Sequence, residues 1–267
     1  MSLFNLASRI VDQKLDDAAR AHAPKLDRVD TGLPFNAQIG ALLAIPRAEF
    51  ALLDASLLYT PKDAQLPIEA ASRLHMNGDE DLKLFRLYTS VGENLLGIGG
   101  AFLQVLCGPD SLEDIRDIAY YQFLTRQFPV TAEEQSPFRG EGFGLGEMDY
   151  YMAEDQLSQI NGMSDARLDA LLPGDVADLH FTREGGAGQY VSPFRATENR
   201  LDDAVGDRGM KKDLSFMQYT RTLAGGQSER LLISFENVRS LDGQPSAAVY
   251  VDFLAGLALD RNKVKVL

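Results

Sequence analysis

The feature that most constrains this chain is an alternation of period two. It runs through most of the sequence from about residue 37 and is broken at short intervals by glycine-bearing turns. Side chains along a strand point alternately to opposite faces, so this period predicts strands rather than helices. The clearest case is DLKLFRLYTS, residues 81–90. There Leu82, Leu84, Arg86 and Tyr88 alternate with Lys83, Phe85, Leu87 and Thr89, and both sets are largely apolar or aromatic. LPIEAASRLHMN runs into an Asn77-Gly78 turn, and GGAFLQVLCG follows a glycine-rich connection. The same grammar returns in VADLHFTRE, GQYVSPFRA, LSFMQYTRTL, RLLISFENV and SAAVYVDFLAGLAL, with an Asp-Gly turn in SLDGQPS between the last two. GALLAIPRAEFALLDASLLYTP reads as two short strands about a turn at Pro46. Residues 109–128 allow two readings: a helix capped by Ser111, or a strand carried by IAYYQFLT. The β-branched and aromatic content favours the strand. SDARLDALLPGD predicts a short helix capped by Ser164 and stopped by Pro173-Gly174. The fold expected is mainly β (α+β): antiparallel sheets in a sandwich- or barrel-like arrangement, with one or two short helices besides an N-terminal one.

Residues 2–20 predict an amphipathic helix. Leu3, Phe4, Leu6, Ala7, Ile10, Val11, Leu15 and Ala18 form one stripe, with Arg9, Asp12, Asp16 and Arg20 opposite. The stripe suits docking onto the chain's own domain, onto a protein partner or second copy, or peripherally onto a membrane. The mixed charge of its polar face favours the first two over a membrane. Leu3, Phe4 and Ile10 are its interaction candidates. Residues 21–36, with two prolines and a Thr-Gly pair, read as a linker. Residues 37–267 read as one β-rich domain with an irregular, acidic insertion at 131–175.

Net charge is −13, so phosphate neutralisation by Lys and Arg, which drives nucleic-acid binding, is not expected. No polybasic cluster offers an anionic membrane a foothold. No run approaches the ~18 apolar residues of a membrane span. Charged residues at Arg9, Asp12 and Lys14 interrupt any signal-peptide apolar core. The single cysteine, Cys107, lies in apolar text and is expected to be buried and inert, which fits a reducing cytoplasm.

GEGFGLG, residues 140–146, resembles a phosphate-binding loop at first sight. The third glycine of a dinucleotide fingerprint falls on Leu145 or Glu147, and the Lys-Ser/Thr of a Walker loop is replaced by Glu147-Met148. Residues 133–155 hold seven acids against Arg139, a net −6 that repels phosphate. An extended segment packed face-on against its surroundings is the favoured reading. Glu141, Glu147 and Asp149 are the candidates should this loop take a cation or a partner, although the spacing matches no calcium loop. His22, His75 and His180 are scattered, and neither zinc spacing nor a Gly-x-Ser-x-Gly context occurs, so no metal and no cofactor is expected. Tyr219, Arg221 and Glu229 stand on successive C-terminal strands, where antiparallel pairing places Arg221 opposite a carboxylate. That is either a structural ion pair or a polar ligand patch. DLKLFRLYTS, DLHFTREGG and DLSFMQYTRT share a loose form, read as the common grammar of hairpins rather than a repeat.

LPFNAQIGALLAI, LFRLYTS…FLQVL and MQYTRTL…ERLLISFENVRSLDGQPSAAVYVDFLAGLAL together resemble the YjfK-like bacterial family, a domain of unknown function. The likeness covers roughly residues 33–129 and 210–259 and includes Tyr219-x-Arg221, Glu229, Glu236, Gly243 and Gly256. It implies cytoplasmic work in an envelope- or stress-related gene cluster, often beside a phage-shock-type membrane-coat protein, and supplies no mechanism. With none of the catalytic signatures above and an amphipathic N-terminal helix, the function expected is a non-enzymatic protein–protein adaptor. The alternative is a small-ligand or cation-binding protein, or an enzyme, using residues 133–155.

Overall fold

The computed structural model describes residues 27–53, 56–61, 64–78, 81–90, 100–223, 226–239 and 248–267. The expected helix at 2–20, with Leu3, Phe4 and Ile10, lies outside them.

The fold is mainly β and antiparallel throughout. Two four-stranded meanders form its centre. The first comprises β3 (Ala70–Met76), β4 (Lys83–Ser90), β5 (Ala101–Cys107) and β6 (Ile115–Gln127). The second comprises β9 (Phe194–Leu201), β10 (Gly209–Thr222), β11 (Ser228–Arg239) and β12 (Ala248–Ala258). Pairing of β6 with β12 and of β3 with β9 closes them into an eight-stranded barrel. An eight-stranded barrel leaves an interior that side chains fill, or that holds one small ligand.

Both faces of most barrel strands are buried, which explains the two apolar sets seen in DLKLFRLYTS. One set, with Leu74, Leu84, Phe102, Tyr121, Leu232 and Leu254, fills the interior. The other packs outward against two coverings. On one side lies a three-stranded sheet of β1 (Leu42–Ala44), β2 (Gln65–Pro67) and β13 (Lys265–Val266), which with Phe50 and Leu57 covers Phe85, Leu87, Leu103 and Tyr120. On the other lies the insertion between the meanders. It contributes β7 (Asp149–Ala153), β8 (Asp178–Arg183) and short helices at Glu154–Ser158 and Asp165–Leu171, and covers Met217, Tyr219, Leu231, Ile233 and Phe253. Each fully buried Leu, Ile or Phe contributes about 1.5–3 kcal/mol relative to exposure. The strand β10 is long enough to serve both layers: Gly209–Phe216 pair with β9, and Tyr219 and Thr220 pair with β8 along the same edge.

The ambiguous 109–128 segment is a strand over Ile115–Gln127, and Ser164 caps its helix by accepting from the Arg167 N–H. Two readings are corrected. The strand expected after Pro46 is a helix, Arg47–Ala51, where Arg, Ala and Glu outweigh the apolar run that follows. The stretch read as linker is bound to the domain over residues 28–36. Asp30 is buried and accepts from the Ile39 N–H at 2.7 Å and from Arg28 Nη2 at 2.6 Å, while Leu33 and Pro34 are buried too. Cys107 is buried, and burial pushes its thiol pKa up, which keeps it protonated and unreactive. Among the described residues no helix is long and apolar enough to cross a membrane.

Candidate functional site: a charged cavity inside the barrel

The barrel interior is apolar at its waist and polar at both ends. One end is sealed. Tyr121 OH donates to Gln218 Oε1, and Gln218 Nε2 donates to Glu184. Arg230 grips Asp117 with two bonds of 2.8 and 3.0 Å and reaches Glu184 at 3.4 Å. Gly256 makes room for this plug: a Cβ there would lie 2.4 Å from the Tyr121 ring.

The other end, where β4, β6, β9 and β11 finish and β5, β10 and β12 begin, holds a cavity of about 200 Å³. Its wall carries Arg86, Arg126, Arg200 and Lys212 beside Glu236 and Asp252. Phe102, Phe123, Met210, Val238 and Leu254 supply apolar surface. Charges are rarely placed inside a fold unless paired, so each must be accounted for.

Glu198 is the innermost carboxylate, with no exposed surface. It accepts from Ser72 Oγ and from Tyr88 OH, each at 2.5 Å, and from Arg86 Nη1 at 3.4 Å. Burial alone would raise its pKa, but the positive charges of Arg86 and Lys212 and the two hydroxyl donors hold it down to about 2. Burial pushes Tyr88 up to about 12, so at neutral pH it is a phenol and donates. Lys212 lies opposite Glu198 in the β9–β10 register and gives its hydrogen bond to Glu236 Oε2 at 2.7 Å. Burial opposes both ions, yet each holds the other charged: Lys212 is raised and Glu236 lowered.

Arg126 owes its place to a bulge. Leu254 pairs with Phe123 but Phe253 pairs with Thr125, so one extra residue, Leu124, shifts the register and sets Arg126 opposite Asp252. The pair is bidentate at 2.5 and 2.6 Å, and the guanidinium lies 3.4 Å over the Tyr250 ring. Burial and the charge of Glu236 push Asp252 up to about 6 against the pull of Arg126, which leaves it ionised at neutral pH. At the rim Arg200 holds Asp202 at 2.7 and 3.2 Å.

Arg86 is the most buried of the four cations. It is 1% exposed. Its Nε donates to Gln104 Oε1 at 3.1 Å, and its guanidinium lies 4.7 Å from the Phe102 ring centre. Its Nη2 is buried and has no hydrogen-bond partner among the described residues. A buried donor without an acceptor costs about 1–3 kcal/mol, more when charged.

The residues singled out from sequence lie elsewhere. Arg221 stands opposite Glu229, bonding it at 2.8 and 2.6 Å. Glu229 also accepts from the Leu58 N–H at 2.7 Å, and Arg221 donates to the Ser56 carbonyl at 2.5 Å. This cluster lies outside the barrel and staples residues 56–58 to it. Tyr219 is buried in the outer core, and its hydroxyl accepts from the Gly146 N–H at 2.9 Å.

That bond belongs to the glycine stretch, which is not the extended segment expected. Gly140, Gly142, Gly144 and Gly146 all have positive φ (82°, 97°, 71° and 112°), so the chain curls. The expectation of close packing does hold: a Cβ would lie 2.4 Å from the Pro137 carbonyl at Gly144 and 2.1 Å from that of Val191 at Gly146. Alternating glycines fit both conformations, and only φ separates them.

The acids around the loop do not converge. Glu134 caps a helix through the Val130 and Thr131 N–H groups, Glu141 accepts from Ser136 at 2.5 Å, and Asp149 pairs with His180 at 2.6 Å. Glu147 is exposed, in a bridge with Tyr190. Among the described residues no group of three or more His, Cys, Asp or Glu is placed to hold a metal ion.

The cavity residues were not singled out in advance, though a signal existed. Arg86 in KLFRLYTS, Glu236 in LLISFENV and Asp252 in AVYVDFLAGLAL each interrupt otherwise apolar strand text. A charge in the middle of a buried strand points to a paired ion in a polar interior.

The fold and its polar interior define a closed antiparallel barrel of the kind that encloses a small cavity. Residues 10–265 match the family described as "Protein of unknown function (DUF2491)", and the chain belongs to that family. No curated protein and no solved structure matches it.

Proposed function

We propose that this protein binds a small molecule in the cavity at the charged end of its barrel. One observation carries the reading: Arg86 lines a cavity of about 200 Å³, and its Nη2 is a buried charged donor with no acceptor among the described residues. A ligand that brings a hydrogen-bond acceptor completes that guanidinium. The network of paired ions around it fixes the guanidinium in place, so little ordering accompanies binding.

The test is a thermal-shift screen of the full chain against small carboxylates, amides, alcohols and phosphate, since a ligand of the folded state raises Tm by mass action. Val238→Trp, at the half-buried rim, is expected to fill the cavity and abolish every shift while the protein stays folded. Shifts that survive in that variant place the ligand elsewhere and sink the reading.

An adaptor role through residues 2–20 rests on the sequence stripe alone. Likewise, a setting in an envelope- or stress-related gene cluster rests on the likeness to the YjfK-like family. A ligand-binding barrel is compatible with both.

A further inference from the structure

We infer that the ligand is a monocarboxylate with a compact apolar body, about the size of benzoate; this rests on the cavity-binding reading above. Three observations give the class. The first is the balance of hydrogen bonds. The carboxylates near the cavity already have donors: Glu236 holds Lys212, Asp252 takes both Arg126 bonds, and Glu198 takes three. A cationic ligand would have to break one of these pairs. The donors are in surplus, because Arg86 Nη2 is without an acceptor among the described residues and an ammonium such as Lys212 has three N–H groups to give.

The second is charge. Arg86, Arg126, Arg200 and Lys212 line the cavity with Glu236 and Asp252, and Glu198 and Asp202 pair Arg86 and Arg200 from behind, so the cluster is balanced. One added negative charge is accommodated there beside Arg86 Nη2. A phosphate dianion is not, since most of its oxygens would face Phe102, Phe123, Met210, Val238 and Leu254 and lose their water without replacement.

The third is size. An apolar cavity of 150 Å³ accepts benzene in another protein, so one of about 200 Å³ accommodates a ring with a carboxylate, or a short branched acid, of roughly nine non-hydrogen atoms. In this arrangement the carboxylate takes the Arg86 Nη2–H and the apolar body faces the aromatic and aliphatic wall.

Isothermal titration of the full chain with benzoate, benzamide and inorganic phosphate tests this. The expected result is saturable benzoate binding at least tenfold tighter than benzamide, with no heat from phosphate. Benzamide binding as tightly as benzoate, or phosphate binding in its place, overturns the carboxylate class while leaving cavity binding intact. Silence from all three, together with a thermal-shift screen that is flat for every class, removes both. A double variant, Arg86→Met with Glu198→Gln, replaces the ion pair without stranding a charge, and should reduce the preference for benzoate over benzamide to less than twofold. A readout on the unaltered protein guards against a variant that fails to fold. Carboxyl-labelled benzoate, followed by NMR, should stay ionised at least one pH unit below its free transition when bound; a transition moved upward contradicts contact with the guanidinium.

Discussion

Arg86 and Glu198 approach to 3.4 Å inside the barrel although their strands, β4 and β9, are not neighbours. β3 lies between them and supplies Ser72, whose hydroxyl bonds the same carboxylate. The ion pair thus reaches across the seam where the two meanders join.

Removing one member of this pair leaves the other buried and uncompensated. Glu198→Leu is expected to destabilise the protein by about 3–5 kcal/mol, whereas Arg86→Met combined with Glu198→Leu costs clearly less than the sum of the single changes. Urea denaturation of the four proteins completes the cycle. Additive losses would show that the two charges do not sense each other.

The buried carboxylates give opposite pH dependences. Glu198 is held down to about 2, so its stabilisation is fully present above about pH 4.5 and is lost as pH falls toward 2. Asp252 is raised to about 6, so its contribution is present below about pH 4 and is lost as pH rises to about 6. Glu229, also raised by burial, adds to the second trend. Urea midpoints at pH 4, 5 and 6 should therefore decline through Asp252 by up to about 1.4 kcal/mol per pH unit. Asp252→Leu with Arg126→Met should flatten that decline, and an unchanged slope would assign it to other groups.

At the sealed end, Gly256→Ala places a methyl group 2.4 Å from the Tyr121 ring. Overpacking of this kind costs about 1–3 kcal/mol. A lowered Tm in Gly256→Ala that Tyr121→Leu partly restores in the double variant would identify the clash as the cause.

On the outer wall, Glu229→Ala strands the Arg221 guanidinium and the Leu58 N–H together. A loss of about 3–5 kcal/mol is expected, with faster hydrogen exchange at the Leu58 amide. Exchange at Leu58 that stays as slow as in the parent would mean that the staple is held by other contacts, such as Arg167 on the Leu57 carbonyl at 2.6 Å.

Strand periodicity made much of the fold legible. KLFRLYTS, RLLISFENV and AVYVDFLAGLA all lie in strands, because alternation and β-branched or aromatic content reflect geometry local to each segment. Closure was not legible, since whether β3 meets β9 depends on contacts remote in sequence. Nor was the site. Alternation says that Arg86 and Phe85 face opposite ways, but not which of them faces the interior. Arg126 was hidden further by the bulge at Leu124, which breaks the parity on which such reading depends. The segment at Arg47–Ala51 was misread because five residues are too few to establish a helical period, and the glycine curl because a left-handed φ leaves no mark on composition.

Each meander, β3–β6 and β9–β12, is built from neighbours in sequence, whereas the two seams join residues as remote as Ala71 and Leu201. Loop entropy makes such contacts slow to form. Barrel closure is therefore expected to come late in folding, and the cavity comes into being only with it. Arg86 arrives on the first meander and Glu198 and Lys212 on the second, so the cavity does not exist in either half alone, and a ligand bound there would act as a clasp between them.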